Sequence, residues 1–359
     1  MTLPKIGFSI GDTNGIGLEV IIKSLLSNRF SNRFIPVIFG SPKIINYYRK
    51  TLSIDDNIFQ FLKVGENPRP KKVNIFTCWE EEATISHGEV SREGGKFAKL
   101  SLEQAIESLK SKYIDSLVTG PIHKKSMELA GFGFPGHTEY LEKSFPPQQS
   151  LMLMVYEDLR IGVVTGHIAL HEVASRINPK AIITKAKIML QSLKVDFGIE
   201  KPVIAVLGLN PHAGDKGMFG NEEENIIIPA INDLKKDGHI VMGPYPADGF
   251  FGSGLFKKFD GILAMYHDQG LVPFKTIAFG GGVNFTAGLP VVRTSPDHGT
   301  AIDIAGKNIA NPSSLRHATY LALDILRNRN EYSNLVANRL ISRKDKYEGE
   351  DEIIEDLEG

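Results

Sequence analysis

The chain of 359 residues holds one cysteine, Cys78, which excludes an intrachain disulfide and fits a reducing compartment. It has no apolar run approaching the roughly 20 residues that cross a bilayer. Its first residues, MTLPKIGFSIGD, lack the long apolar segment of a signal peptide. It also lacks a surplus of charge of either sign: the formal net charge is −1, whereas a nucleic-acid partner normally demands a basic face. Internal repeats, low-complexity blocks and an evident interdomain linker are absent too. These absences argue against nucleic acid and membrane as partners and make the cytoplasm the expected location. What remains, 42% hydrophobic and 23% charged residues, is the composition of an ordinary globular protein long enough for a large core and two domains.

Strand and helix signals alternate along the chain. Lys5 to Ile10 is β-prone, Gly11 to Gly17 turns out of it, and Leu18, Ile21, Ile22, Leu25 and Leu26 recur at helical spacing. Further strands are predicted at Ile35 to Phe39, Val73 to Phe76, Ser116 to Thr119, Leu151 to Tyr156, Leu159 to Thr165, Val203 to Leu207 and Gly261 to Met265. This order predicts an α/β fold with a largely parallel sheet covered by helices. Asp12 and Asn14, at the first helix start, suit either a ligand contact or a helix cap, capping being the commoner role. Arg343 to Gly359 is charged and mostly acidic and reads as a solvated or frayed tail.

Three of the predicted strands run into a histidine. Leu159 to Thr165 leads to His167, Val203 to Leu207 leads to His212, and Gly261 to Met265 leads to His267. Ligands of open α/β sheets bind beyond the carboxyl ends of strands. Three neutral imidazoles there would suit zinc or a similar divalent ion while leaving a position for substrate. A lone histidine at a strand end is more often hydrogen-bonded structure; the shared placement of three shifts that balance. The segment Asp260 to Pro312 adds Lys275, Asn284 and Arg293 within one loop-rich stretch, a cation, an amide and a guanidinium suited to phosphate or carboxylate. Two motifs are rejected. Gly94-Gly95-Lys96-Phe97 lacks the hydroxyl residue of a P-loop, and Gly131 to Gly136 fits GxGxxG but follows a helix-like segment instead of a strand.

MYHDQGLVPFK, GGGVNFTAGLPVVRTSPDHGTAIDIAGK and IANP, together with GDTNGIGLE, VTGPIHKKSMELAGFGFPGHTEYLEK and NPHAG, resemble the 4-hydroxythreonine-4-phosphate dehydrogenase family over nearly the whole chain. HGTAIDIAGKNIANP also resembles the adenosine-binding loop of the wider isocitrate/isopropylmalate dehydrogenase group. The resemblance implies two α/β/α domains with a cleft between them. One, residues 1–130 plus 300–359, contains both termini and binds NAD; the other, residues 131–299, carries metal, substrate and dimer contacts. It implies a homodimer whose sites take metal ligands from both subunits, with His167, His212 and His267 on zinc, magnesium or cobalt. It places His137, Thr138, Lys275, Asn284 and Arg293 on substrate, and Asp12, Asn14, Gly299 and Asp303 on NAD, with NADP as the alternative. Asp268 or Lys275 would assist proton transfer. The implied reaction is oxidation of 4-phosphooxy-L-threonine to a β-keto acid that loses CO₂, a step of pyridoxal phosphate biosynthesis. His123 departs from the pattern, standing where the family usually has asparagine.

Three alternatives stand beside this reading. The same chemistry on a threonate or erythronate phosphate would share the anchors. A three-histidine zinc hydrolase would need no NAD, against which the adenosine-loop-like piece argues. A non-catalytic metabolite-binding protein is disfavoured by the intact histidine triad.

Overall fold

The computed structural model describes residues 3–26, 30–54, 56–63, 65–146 and 149–338. The acidic segment Arg343 to Gly359 lies outside the described residues. Within them twelve strands form one sheet: β1 Lys5–Ser9, β2 Ile35–Gly40, β3 Phe59–Leu62, β4 Val73–Thr77, β5 Ser116–Thr119, β6 Leu151–Tyr156, β7 Leu159–Val163, β8 Val203–Leu207, β9 Ile240–Tyr245, β10 Gly261–Ala264, β11 Val283–Ala287 and β12 Val292–Pro296. Their order is β3-β4-β2-β1-β5-β12-β11-β6-β7-β10-β8-β9. Pairing is parallel except where β11 meets β12 and β6, and where β6 meets β7. The strands on the two sides of this centre therefore run in opposite directions. β2, β10 and β12 are buried along their whole length, as strands covered by helices on both faces must be.

The four strands not anticipated from sequence are β3, β9, β11 and β12. The last two lie in the stretch expected to be loop-rich, and Lys275 there belongs to the helix His267–Ile277. Asn284 and Arg293 interrupt the apolar pattern of β11 and β12 because they face a cavity instead of the core. The helix predicted from Asn311-Pro312 begins at Ser313, with Pro312 at the cap position. Gly94 and Gly95 sit inside the helix Arg92–Lys110, where a β-carbon on Gly95 would collide with the Ser126 carbonyl. The glycine pair serves close helix packing, in keeping with the rejected phosphate loop.

The long helix Ser313–Ala337 packs across the centre of the sheet, against β5, β11 and β12. Its far end is held by Asp196, which is buried. Asp196 accepts from Arg329 Nε at 2.6 Å and from Ser192 Oγ at 2.6 Å, while its carbonyl accepts from Asn328 Nδ2 at 2.7 Å. Removing one partner of such a pair leaves a buried charge uncompensated. Arg329→Met is therefore expected to lose about 3 kcal/mol of stability in urea titration. Adding Asp196→Asn should return most of that loss; if the double variant is no more stable than the single, the pair is not what holds the helix.

Candidate active site

A cavity of about 180 Å³ opens where β5, β11 and β12 meet the helix His137–Ser144. It gathers His137, Thr138, His167, Asn284, Arg293 and Gly299, six residues expected at a site from sequence and drawn from positions up to 162 apart. A larger groove of about 760 Å³, between the helix Pro179–Val195 and the terminal helix, holds none of them. The chemistry lies in the smaller space.

Arg293 dominates it. The residue is 2% exposed, yet no carboxylate lies within ion-pair distance of it among the described residues. Its Nε and Nη2 donate to Thr119 Oγ1 at 3.1 and 2.6 Å, and its Nη1 donates to Thr286 Oγ1 at 3.1 Å. Hydroxyls fix the orientation of the guanidinium without neutralising it, and they leave two of its five N–H groups unspent. Burial pushes its pKa down to about 10, opposed by the carboxylate of Glu139. At neutral pH it is a charged, oriented cation with no ion-pair partner among the described residues, Glu139 acting on it only from beyond ion-pair distance. Burying a lone charge is costly, and an anionic ligand is the group that relieves it.

His137 stands near this charge. Its residue surface is partly exposed, but its Nε2 is buried with no partner. Burial and then the Arg293 charge hold its pKa well below the usual 6.5, so it stays neutral at physiological pH. The unfolded chain takes up this proton near 6.5 while the folded chain does not, so stability falls as pH drops from 6.5 toward the folded value. Thermal unfolding at stepwise lower pH should show this, at up to about 1.4 kcal/mol per pH unit. His137→Asn should make the decline shallower; an unchanged slope would remove His137 as its source. Thr138 does not cap its helix, because the cap position is Gly136, and its hydroxyl is left to the cavity.

The three histidines leave the sheet at adjacent strands, since β10 pairs in parallel with both β7 and β8. The ring centroids of His167 and His267 are 5.4 Å apart. His267 Nδ1 is 2.7 Å from Asp268 Oδ1, so that carboxylate orients the ring and leaves Nε2 free for a ligand, the arrangement in which metal-binding imidazoles are held. Burial, the Lys124 charge and His267 lower the pKa of His167, favouring the neutral ligating form. His212 packs against Phe219, with ring centroids 5.9 Å apart. It begins a turn whose backbone is left-handed from His212 to Lys216 (φ 40 to 82°), a conformation that costs side-chain-bearing residues free energy. That turn is held by the buried Glu223 carboxylate, which accepts from Leu209 N, Asn210 N and Asn210 Nδ2 at 2.7, 2.8 and 3.0 Å. Glu223 thus anchors the histidine loop beyond the helix-start role expected of it. Among the described residues no three His, Cys, Asp or Glu side chains form a metal-sized group. One chain brings together two of the three expected ligands.

The remaining expected residues divide. Asn14 is spent on architecture: its Nδ2 donates to Glu89 O and Ser91 Oγ, and its Oδ1 accepts from Ser86 N. The cap of the helix Gly17–Leu25 is Ile16, so neither Asn14 nor Asp12 caps it. Asp12 is 2% exposed; its Oδ1 accepts from Asn14 N at 3.0 Å and its Oδ2 has no partner. A β-carbon at Gly299 would meet open space, and Asp303 is exposed. Lys275 is exposed and does not line the cavity. Asp248, which by sequence suits a carboxylate orienting a ligand histidine or a helix cap, is exposed in the first turn of the helix Ala247–Gly252, whose cap is Pro246, so the cap reading does not hold. His123 caps the helix Lys124–Leu129, its Nδ1 accepting from Ser126 N at 3.4 Å. An imidazole nitrogen here does what an asparagine oxygen would do. Glu139, Ser295 and His298 also line the cavity. Ser295 shares the face of Arg293 because it stands two residues on along β12, a spacing that shows only once β12 is known to be a strand, and His298 follows just beyond the strand end.

Fold and cavity define a mixed α/β enzyme with a buried cationic seat for an anionic small molecule. The chain belongs to the family described as "Pyridoxal phosphate biosynthetic protein PdxA", whose model matches residues 32–322. A 4-hydroxythreonine-4-phosphate dehydrogenase of Bacteroides thetaiotaomicron is 46% identical, covering 97% of this chain and 95% of that protein. A relative in Oceanobacillus iheyensis, named for D-threonate 4-phosphate, is 37% identical over 90% of this chain and 98% of its own length. Among solved structures, a 4-hydroxythreonine-4-phosphate dehydrogenase from Klebsiella pneumoniae superposes with a TM-score of 0.77 at 32% identity, covering 90% of this chain and 98% of that one.

Proposed function

We propose that this protein oxidises the C3 hydroxyl of 4-phosphooxy-L-threonine with NAD, giving a β-keto acid that loses CO₂ to form 3-amino-2-oxopropyl phosphate on the way to pyridoxal phosphate. The observation that carries the proposal is Arg293, a buried guanidinium without a counter-ion in a cavity shared with His137 and Asn284. A phosphate ester supplies the missing charge. The family membership then selects the reaction.

In this reading Arg293, Asn284, His137 and Thr138 fix the anionic end of the substrate, with Thr119 and Thr286 holding the guanidinium in place. Neutral His137 avoids placing a second cation beside Arg293. His167 and His267 would hold a divalent ion (zinc, magnesium or cobalt); burial favours the neutral ligating form of His167, and Asp268 orients the ring of His267. Such an ion lowers the pKa of a bound hydroxyl and stabilises negative charge on the carbonyl oxygen. NAD, when bound, would supply the hydride acceptor; open space at Gly299 and the unpartnered Oδ2 of Asp12 support those positions as its contacts, with Asp303 on the same loop. Asp268 orients His267, and it and Lys275 are the proposed proton-transfer groups.

His212, His267 and Lys275 do not line the cavity of their own chain, and no three-ligand group forms among the described residues, so the proposal includes a homodimer that completes each site. The segments that follow β7, β8 and β10 support this: Leu170, Met218 and, on the helix His267–Ile277, Val272 are 73%, 74% and 61% exposed. Large exposed apolar side chains on the segments that carry the three histidines favour a surface that another protein covers. The division into residues 1–130 plus 300–359 for cofactor and 131–299 for metal and dimer contacts belongs to the same proposal, as does a cytoplasmic location.

The Oceanobacillus relative favours a second substrate, D-threonate 4-phosphate, which shares every anchor above. Absorbance at 340 nm with NAD, a divalent ion and each substrate tests both. NADH formed from 4-phosphooxy-L-threonine and lost on chelation supports the first reading. NADH from the threonate alone moves the substrate, and no NADH from either overturns the assignment.

A further inference from the structure

We infer that His298 is a further substrate-binding residue, its Nε2 accepting a hydrogen bond from an O–H or N–H group on the carbon chain of the phosphorylated acid. The inference rests on the proposed substrate class and names the side chain that recognises its uncharged middle. His298 follows β12 and lines the cavity that Arg293 faces. Its Nδ1 lies 3.0 Å from the carbonyl oxygen of Gly299. A carbonyl only accepts, so Nδ1 carries the hydrogen, and in the neutral ring Nε2 presents a lone pair. That Nε2 is buried and has no partner. Leaving a buried acceptor unsatisfied is costly, and a ligand donor in the cavity removes the cost.

The rest of the cavity says which part of the ligand this is. Arg293 offers unspent N–H donors, which match the oxygens of a phosphate or carboxylate. Both substrates also carry two donor groups on the carbons between their anionic ends, an ammonium and a hydroxyl in the amino acid and two hydroxyls in the threonate, and donors cannot satisfy them. His298 supplies the complementary lone pair from the β12 side, one residue before Gly299. Asn284, whose Nδ2 donors suit the anionic end, also carries an unpartnered Oδ1 acceptor, so this one amide can serve both parts of the ligand.

Two variants separate contact from packing. His298→Phe keeps a ring but removes the acceptor; His298→Gln returns a carbonyl oxygen near the position of Nε2. Calorimetric titration with a divalent ion present would use 4-phosphooxy-L-threonine, D-threonate 4-phosphate, inorganic phosphate and NAD as four separate ligands. His298→Phe should weaken the acids about 10-fold, the range for one unsatisfied hydrogen bond, and leave phosphate and NAD within about 2-fold. His298→Gln should recover most of the loss. Weakening of the amino acid alone would identify the ammonium as the donor, and weakening of both acids a donor at a position that the two share; either supports the inference. Equal weakening of inorganic phosphate, a loss confined to NAD, or unchanged binding of both acids would overturn it. If the unaltered protein bound neither acid, the substrate reading would fall with it. Failure seen only in the variants would leave that reading standing.

Discussion

Arg293→Met is expected to abolish turnover while leaving the fold at least as stable as before. The guanidinium is buried, paired only with the hydroxyls of Thr119 and Thr286, and its pKa is pushed down to about 10 by burial. A buried charge lacking a counter-ion stabilises nothing by itself, and replacing it with an apolar side chain of similar length is neutral or favourable. Thr119 and Thr286 can turn their hydroxyls to other acceptors, so the variant creates few unsatisfied groups. Its role is to receive an anion, and losing a bidentate contact to a buried phosphate should cost at least about 4 kcal/mol, or roughly a thousandfold in kcat/KM. Chemical denaturation and steady-state kinetics on the same preparation test both halves. A large loss of stability alongside the loss of activity would make Arg293 a structural residue and remove the main support for the anion seat. The burial that depresses the pKa of His137 would remain, while its like-charged neighbour would be gone. The pH dependence of stability attributed to His137 should therefore weaken in this variant.

The second large effect concerns the histidines. His212→Ala and His267→Ala are each expected to abolish metal-dependent turnover and to leave unfolding midpoints nearly unchanged, because neither imidazole belongs to the core. Loss of one of three ligands typically removes most affinity for the ion, which equilibrium dialysis reads independently of activity. Mixing the two inactive variants is the sharper test. If His212 is supplied by a second copy, a mixed dimer contains one site with all three histidines, and random reassortment should restore roughly a quarter of full activity. If the ligands all come from one chain, every site in the mixture lacks a histidine and activity stays at zero. Full activity of either variant in chelated buffer would remove the metal from the mechanism.

Local sequence patterns are enough to place most of the sheet. Parallel strands buried on both faces read as apolar runs of four to six residues, as in IPVIFG and GILA. The polar residues that follow them mark where a site lies, which is why the histidines after β7, β8 and β10 stood out before any coordinates. β11 and β12 were hidden by the same logic. Asn284 and Arg293 break the apolar pattern because they face a cavity, and a pattern that counts buried apolar residues reads them as loop.

The sequence by itself therefore determined the α/β alternation, the placement of three histidines at strand ends, and the resemblance that names a family. Residue types and spacings of a few positions carry that information. Only the tertiary structure decided that Arg293 is buried with no ion-pair partner among the described residues, that Asn14 is consumed in holding the Ser86 to Ser91 segment, and that the three histidines form no metal-sized group among the described residues of one chain. It also fixed the hydrogen on His298 Nδ1 through the Gly299 carbonyl. Burial, partner supply and protonation depend on which distant segments meet. The pairing of β12 with β5 and β11, set by the packing of the whole sheet, makes those meetings.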